Sequence, residues 1–121
     1  MDMHKIVYNQ CFGGFSLSLE AVSWLAKHAT DSNLLLFIKK HYTDTPEAFL
    51  GDVVGDWFDD KRHHSDLVAV VENLGSDRAS GSCARLGIDY ITGNQYRIES
   101  HDGFENVVTP DSDWIFIRDR E

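Results

Sequence analysis

The sequence predicts a single α+β domain over residues 1–121, with a mixed or antiparallel sheet and two or three helices packed on one face. Three observations lead to this fold class. The chain has 121 residues, which suits one hydrophobic core. Apolar residues recur at helical spacing in two segments, and the last third alternates short apolar runs with turn residues. Hydrophobic residues make up 42% of the chain, which argues against global disorder.

The N-terminal segment predicts a strand, a glycine turn and a helix. Residues 5–9 are apolar enough for a buried strand, and Gly13 with Gly14 provides the turn. Ser18 is well placed as the N-cap of a helix that ends near His28. We call the segment from the strand to Ser18 the glycine corner.

Two more elements are predicted between this helix and the middle of the chain. The apolar run 34–42 predicts a central strand, and a strand, helix and strand in this order imply a right-handed parallel crossover. Thr45 followed by Pro46 predicts the cap and first residue of a second helix. The apolar side of that helix would carry Ala48, Phe49, Val53, Val54, Trp57 and Phe58.

The other side of this second helix is acidic. No Lys or Arg occurs between Lys40 and Lys61, whereas five acids do: Glu47, Asp52, Asp56, Asp59 and Asp60. The aromatic residues of the segment either pack into the core or remain available as anchors for a partner.

The C-terminal half predicts one clear helix and several strands. Ser65 begins the helix and Gly75 ends it, with apolar residues at i, i+3, i+4 and i+7 between them. Thr92-Gly93-Asn94 predicts a hairpin connection, and Asp102-Gly103 predicts a second turn. The strands of this antiparallel meander are residues 83–91, 95–100, 104–108 and 114–117.

Charge and cysteine content limit the function classes. The formal net charge is −9, which disfavours direct nucleic-acid binding and favours a cationic partner, or solubility alone. Cys11 and Cys83 lie 72 positions apart, so they form neither a disulfide framework nor a zinc-ribbon spacing. The longest apolar run, residues 34–38, is too short to span a bilayer. We therefore expect a cytoplasmic protein that does not enter the membrane.

The glycine corner is a candidate ligand site. Gly13 and Gly14 could direct backbone N–H groups at an anion, and Ser16 and Ser18 add hydroxyl donors at a helix N-terminus. Cys11 lies just before this helix, where a thiolate is stabilised. Phosphate-loop and dinucleotide spacings are absent, so a tight turn packed on the core is the simpler interpretation.

Histidine-containing clusters are weaker candidates. A cysteine-dependent enzyme would need a base such as His101 with Asp102, or His63 and His64 with Asp66. The acidic and histidine residues between 59 and 66 lack an HExxH or paired CxxC spacing, so we expect the solvated start of a helix and no metal.

Three segments carry a family resemblance: KIVYNQCFGGFSLSLEAV at 5–22, RHHSDLVAVVENLGSDRASGSCARLGIDYI at 62–91 and YRIESHDGFENV at 96–107. Together they resemble a family of small, mostly uncharacterised bacteriophage and prophage proteins. The resemblance implies an accessory protein that acts in the bacterial cytoplasm, where many such proteins block host defence. Residues 43–60 depart from the family pattern, which suggests an acidic insertion that contacts a partner.

We therefore expect a non-enzymatic protein that binds and inhibits or modulates a host protein, such as a CRISPR-type defence complex, through an acidic surface. The predicted partner-binding residues are Glu47, Asp52, Asp56, Trp57, Asp59 and Asp60. We expect no cofactor, and a homodimer stays open. Two alternatives also stay open: a small cysteine-dependent enzyme, and a protein that captures a nucleotide signal at Cys11, Gly13, Gly14, Ser16 and Ser18.

Overall fold

The computed structural model describes residues 3–110, and these fold as the predicted α+β domain around one hydrophobic core. The elements in chain order are β1 (Met3–Asn9), α1 (Leu19–His28), α2 (Ser32–Asp44), α3 (Glu47–Trp57), α4 (Ser65–Leu74), α5 (Ser76–Ala79), β2 (Leu86–Thr92), β3 (Arg97–His101) and β4 (Phe104–Val108). No helix in this range is long and apolar enough to cross a membrane. The strand predicted at 114–117 lies outside the described residues.

The described strands pair as two antiparallel sheets. β1 pairs with β2 along its whole length, and β3 pairs with β4. The β3–β4 turn is the predicted one, with φ of 52° at Asp102 and 89° at Gly103, where glycine is unstrained and aspartate is tolerated. The hairpin predicted through residues 92–94 is wrong, because β2 and β3 on either side of these residues do not pair with each other. The second half of β1 is buried, so its backbone groups need a partner, and β2 supplies it.

The apolar run 34–42 forms a helix, α2, and not the predicted central strand. Asp31 caps α2, because its carboxylate accepts hydrogen bonds from two amides of the first turn at 2.9 and 3.3 Å. Leu34 and Ile38 are buried at i and i+4, whereas Leu36 between them is 66% exposed. That period fits a helix, so no parallel crossover follows α1.

Helices α1 and α4 begin and end as predicted. Ser18 Oγ accepts a hydrogen bond from Ala21 N at 2.9 Å, which caps α1. Gly75 ends α4 with φ of 82°. The cap of α4 is a histidine, because His64 Nδ1 accepts a hydrogen bond from Asp66 N at 3.0 Å.

Helix α3 packs through its glycines. Pro46 occupies its N-cap position, and Thr45, the predicted cap, instead ends α2. A Cβ on Gly51 would collide with the carbonyl oxygen of Leu17, and Gly55 also faces the segment before α1. The glycines therefore bring α3 close to that segment. The buried residues beside them are Leu50, Val54 and Phe58, so the predicted acidic insertion contributes to the core.

A buried arginine joins the α3–α4 loop to β4. Arg62 is 1% exposed, and its two terminal nitrogens donate hydrogen bonds to both carboxylate oxygens of Glu105 at 2.6 and 2.9 Å. It also donates to Asp59 at 3.2 Å, and its guanidinium carbon lies 3.7 Å from the centre of the Phe15 ring. Its backbone carbonyl accepts a hydrogen bond from Val7 N at 2.9 Å.

Asn9 extends this contact to both sheets. It is fully buried at the end of β1, and its backbone N–H donates to Glu105 at 2.8 Å. Its amide nitrogen donates to Gly103 O at 2.7 Å in the β3–β4 turn, and its amide oxygen accepts from Arg85 N at 2.8 Å before β2. We call Arg62, Glu105 and Asn9 the polar centre.

A second buried carboxylate fixes the α1–α2 connection on α4. Asp66 is 4% exposed and accepts hydrogen bonds from Thr30 N, Thr30 Oγ1 and Asp31 N, each at about 3.0 Å. His64 Nε2 donates to Asp31 at 2.9 Å, since its other ring nitrogen already accepts a hydrogen bond. The hydrogen bond from His64, together with those from the first turn of α2, lowers the pKa of Asp31.

We expect Glu105→Gln to lower the free energy of unfolding by about 3–5 kcal/mol, because it removes the buried counter-charge of Arg62 and leaves only the exposed carboxylate of Asp59. Urea denaturation at neutral pH measures this loss. The matched control is Glu72→Gln, which breaks the half-exposed ion pair with Lys5 and should cost far less. Equal losses in the two variants would contradict a central role for the pair.

Candidate functional site

The exposed side of α3 combines carboxylates with one aromatic residue. The buried side of α3 contains Gly51, Val54 and their neighbours, and Asp52 and Asp56 lie opposite, one turn apart. Phe49 lies on this same side and is 59% exposed. We call Phe49, Asp52 and Asp56 the acidic face.

Phe49 was predicted on the same side of α3 as Val54 and Phe58, and that grouping is wrong, because Val54 and Phe58 are buried and Phe49 is exposed. Of the two alternatives left open for it, Phe49 takes the exposed one. The exposed position follows from Gly51 and Gly55, which mark the packed side at i and i+4 and put Phe49 across the helix from it. The glycine spacing was therefore the signal in the sequence that could have located this residue.

Trp57 and Phe58, the other candidate anchors, pack inward. Trp57 is partly buried, with its ring 6.5 Å from that of Phe37 and 5.5 Å from that of His64. The Lys61 ammonium lies 4.7 Å from the centre of the Trp57 ring. Phe58 is fully buried. Phe49 is thus the aromatic residue of α3 that is open to a partner.

The five acidic residues differ in their partners. Asp59 pairs with Arg62 at 3.2 Å, and Asp60 pairs with Lys61 at 2.9 Å, which lowers the pKa of Asp60. None of the three acids on α3 makes an ion pair with any residue between 3 and 110; these are Glu47, Asp52 and Asp56. The unneutralised charge is therefore on the helix itself.

Crowding of like charges perturbs Asp56. Burial raises the pKa of its carboxyl above the ordinary value, and the nearby charges of Asp59 and Asp52 raise it further. A cation placed against this face would reverse the last two effects. The face is thus electrostatically suited to a positively charged group.

The first half of the glycine corner, around Gly13 and Gly14, is occupied by other residues of this chain. A Cβ on Gly13 would collide with Cys83, and Gly14 has φ of 94°. A Cβ on Gly103, in the β3–β4 turn, would lie 2.6 Å from Gly14 N and Phe12 O. The corner therefore serves as a close contact between the first sheet and the β3–β4 hairpin.

The second half of the corner opens into a cleft of about 320 Å³. Ser16 and Ser18 line it on one side, and Glu47 and Asp52 of α3 line it on the other. The predicted ligand residues are thus divided between two places. Ser16 and Ser18 share the cleft with α3, whereas Gly13 and Gly14 do not line it. We call this space the serine cleft; its further polar lining is Ser80, Gly81 and Ser82.

The cysteine and histidine candidates do not meet. Cys11 is half-buried, and its thiol makes no hydrogen bond with a histidine in the described part of the chain. His63 contacts Tyr96 Oη at 2.7 Å, and both ring nitrogens of His64 are used within the fold. Residues 3–110 contain no group of three or more His, Cys, Asp or Glu arranged to hold a metal ion.

No protein-family model, curated protein or solved structure matches the chain. The fold and the site define an α+β protein with an exposed acidic helix flanked by a serine-lined cleft. A more specific function must be inferred from these residues.

We expect Asp56→Asn to raise the free energy of unfolding at pH 7. The folded state raises the pKa of Asp56 above 3.8, so its ionised form destabilises the fold; this effect is complete above the folded pKa and absent below the unfolded one. The gain should therefore disappear below about pH 4 in urea titrations. Glu47→Gln removes the same charge from the favourable first turn of α3 and should not stabilise. A pH-independent gain would contradict this explanation.

Proposed function

We propose that this chain is a non-enzymatic binding protein that uses the acidic face to occupy a basic surface on a host protein. The observation that carries the proposal is the pair Asp52 and Asp56, which is exposed and has no ion pair among the described residues. Burial raises the pKa of Asp56, and the charges of Asp59 and Asp52 raise it further. Contact with a cationic surface relieves the repulsion between these charges, so association is favoured electrostatically.

Phe49 supplies the apolar part of the contact. Most of the binding energy at protein interfaces comes from a few residues, often aromatic ones, that are surrounded by polar groups. Phe49 is exposed beside Asp52 and Asp56 and is held on a helix whose opposite side is packed. We expect it to enter an apolar pocket that basic residues surround.

The chemistry of the face indicates a class of target. Protein surfaces rich in Lys and Arg are typical of proteins that bind phosphate backbones, and a carboxylate-lined helix can occupy such a groove. Together with the phage resemblance, this favours a nucleic-acid-binding defence complex of the CRISPR type as the target, inhibited in the bacterial cytoplasm. Capture of such a complex from a lysate tests this target class.

We expect wild-type protein to capture a host protein from a bacterial lysate at low salt. The double variant Asp52→Asn, Asp56→Asn should fail to capture that protein. Mass spectrometry identifies the captured protein, and added nucleic acid should compete with the capture. Raising the salt concentration should weaken binding, because the contact is electrostatic.

The matched control carries Asp77→Asn and Asp102→Asn, which remove the same charge at exposed positions off α3. It should capture the same protein as the wild type. The proposal fails if the α3 variant retains the partner, or if both double variants lose it equally, since net charge would then be the cause. Phe49→Ser should weaken the capture without changing the net charge.

A further inference from the structure

We propose that the serine cleft binds the primary ammonium group of a lysine side chain. The inference rests on the proposed function, because the lysine belongs to the bound protein and the cleft lies at the N-terminal end of the acidic face. It adds a specific recognition site to a contact that charge alone would leave nonspecific.

The charges that line the cleft favour a cation. Glu47 and Asp52 are its charged residues, and its lining includes no Lys, Arg or His. The N-termini of α1 and α3 also face this region, each equivalent to roughly half a positive charge. Two full negative charges exceed two half charges, so a cation is favoured over an anion.

Ser16 is an independent sign of a ligand. Its residue is 9% exposed, it lines the cleft, and its hydroxyl makes no hydrogen bond within residues 3–110. The hydroxyls of Ser18 and Ser80, by contrast, are both used inside the fold. The Ser16 side chain is therefore nine-tenths buried, and its hydroxyl is free to accept a hydrogen bond from a ligand in the cleft.

Gly51 and Gly81 leave room for the segment that carries Ser16. A Cβ on Gly81 would collide with Ser16 Oγ, and a Cβ on Gly51 would collide with the carbonyl of Leu17. Gly81 N also donates a hydrogen bond to Ser16 O at 3.0 Å, which fixes the two segments together. Larger residues at these positions would displace Ser16 or fill the space.

The arrangement of acceptors suits ammonium better than guanidinium. Glu47 and Asp52 approach from α3, and Ser16 lies on the segment before α1, so the acceptors belong to two different walls. An ammonium group has three donors that point in different directions, whereas guanidinium donors lie in one plane and favour a single carboxylate fork. A lysine is therefore the better occupant.

The test is an NMR titration with Nα-acetyl-lysine methylamide, followed through the backbone amides of Ser16, Gly81 and Ser82. We expect saturable shifts at these amides, and no such shifts with the norleucine analogue, which lacks the ammonium. Asp52→Asn and Ser16→Ala should each weaken binding about tenfold or more, as expected for losing one charge-assisted or buried hydrogen bond. Asp102→Asn, in the β3–β4 turn, should bind as the wild type does.

The outcomes separate this inference from the proposed function. If the lysine analogue produces no saturable shift, or Asp52→Asn and Ser16→Ala bind it unchanged, the inference fails even when a host protein is captured. If the analogue binds but no protein is captured, the proposed function fails and the lysine site stands. Binding of n-butylamine without binding of Nα-acetyl-lysine methylamide would also overturn the inference, because the cleft would then accept a small free amine and not a lysine side chain. Amide spectra of the unliganded variants confirm that each one is folded.

Discussion

The ion pair between Arg62 and Glu105 holds together two sheets that share no strand in the described chain. Removing a guanidinium and a carboxylate from water costs several kcal/mol each, so such a pair is tolerated only where further hydrogen bonds satisfy both groups. Asn9 provides one of them for Glu105, and Asp59 accepts one from Arg62. The guanidinium also lies over the Phe15 ring, and its Nε has no hydrogen-bond partner among the described residues. An apolar contact would let the β3–β4 hairpin slide on the first sheet. Directed hydrogen bonds to both carboxylate oxygens allow one docking position.

The same arginine fixes the end of the acidic helix. Arg62 donates to Asp59, and the turn between them is closed by the hydrogen bonds Lys61 N to Phe58 O and His64 N to Lys61 O. The middle of α3 is held by Gly51 and Gly55 against the segment before α1. The helix is therefore anchored by core contacts at its middle and near its C-terminal end. A partner that binds it meets an ordered surface, and little conformational entropy is lost on association.

Local chemistry in the sequence predicted several helix ends and one turn correctly, but it failed for the Thr45 cap, for the pairing of the strands and for the helix over residues 34–42. Ser18, Gly75 and the Asp102-Gly103 turn were predictable because each depends on nearby residues. The strand predicted over residues 34–38 was wrong because five consecutive apolar residues fit a strand as well as a helix. Only the burial of Leu34 and Ile38, together with the exposure of Leu36, distinguishes the two. Pairing of β2 with β1 depends on contacts across the whole chain. The polar centre joins residues 9, 62 and 105, and no spacing rule connects them.

Solubility explains acidic residues but does not explain this face. Some exposed acids of the described chain have basic partners, as Glu20 has Arg78 and Glu72 has Lys5, whereas Asp44 and Asp77 have none among the described residues. Asp52 and Asp56 instead repel each other one turn apart on a helix, an arrangement that destabilises by about 0.2–0.5 kcal/mol. Under the proposed function, Asp52 and Asp56 would meet a basic surface and Phe49 would enter an apolar pocket beside it, so a single contact would use both features.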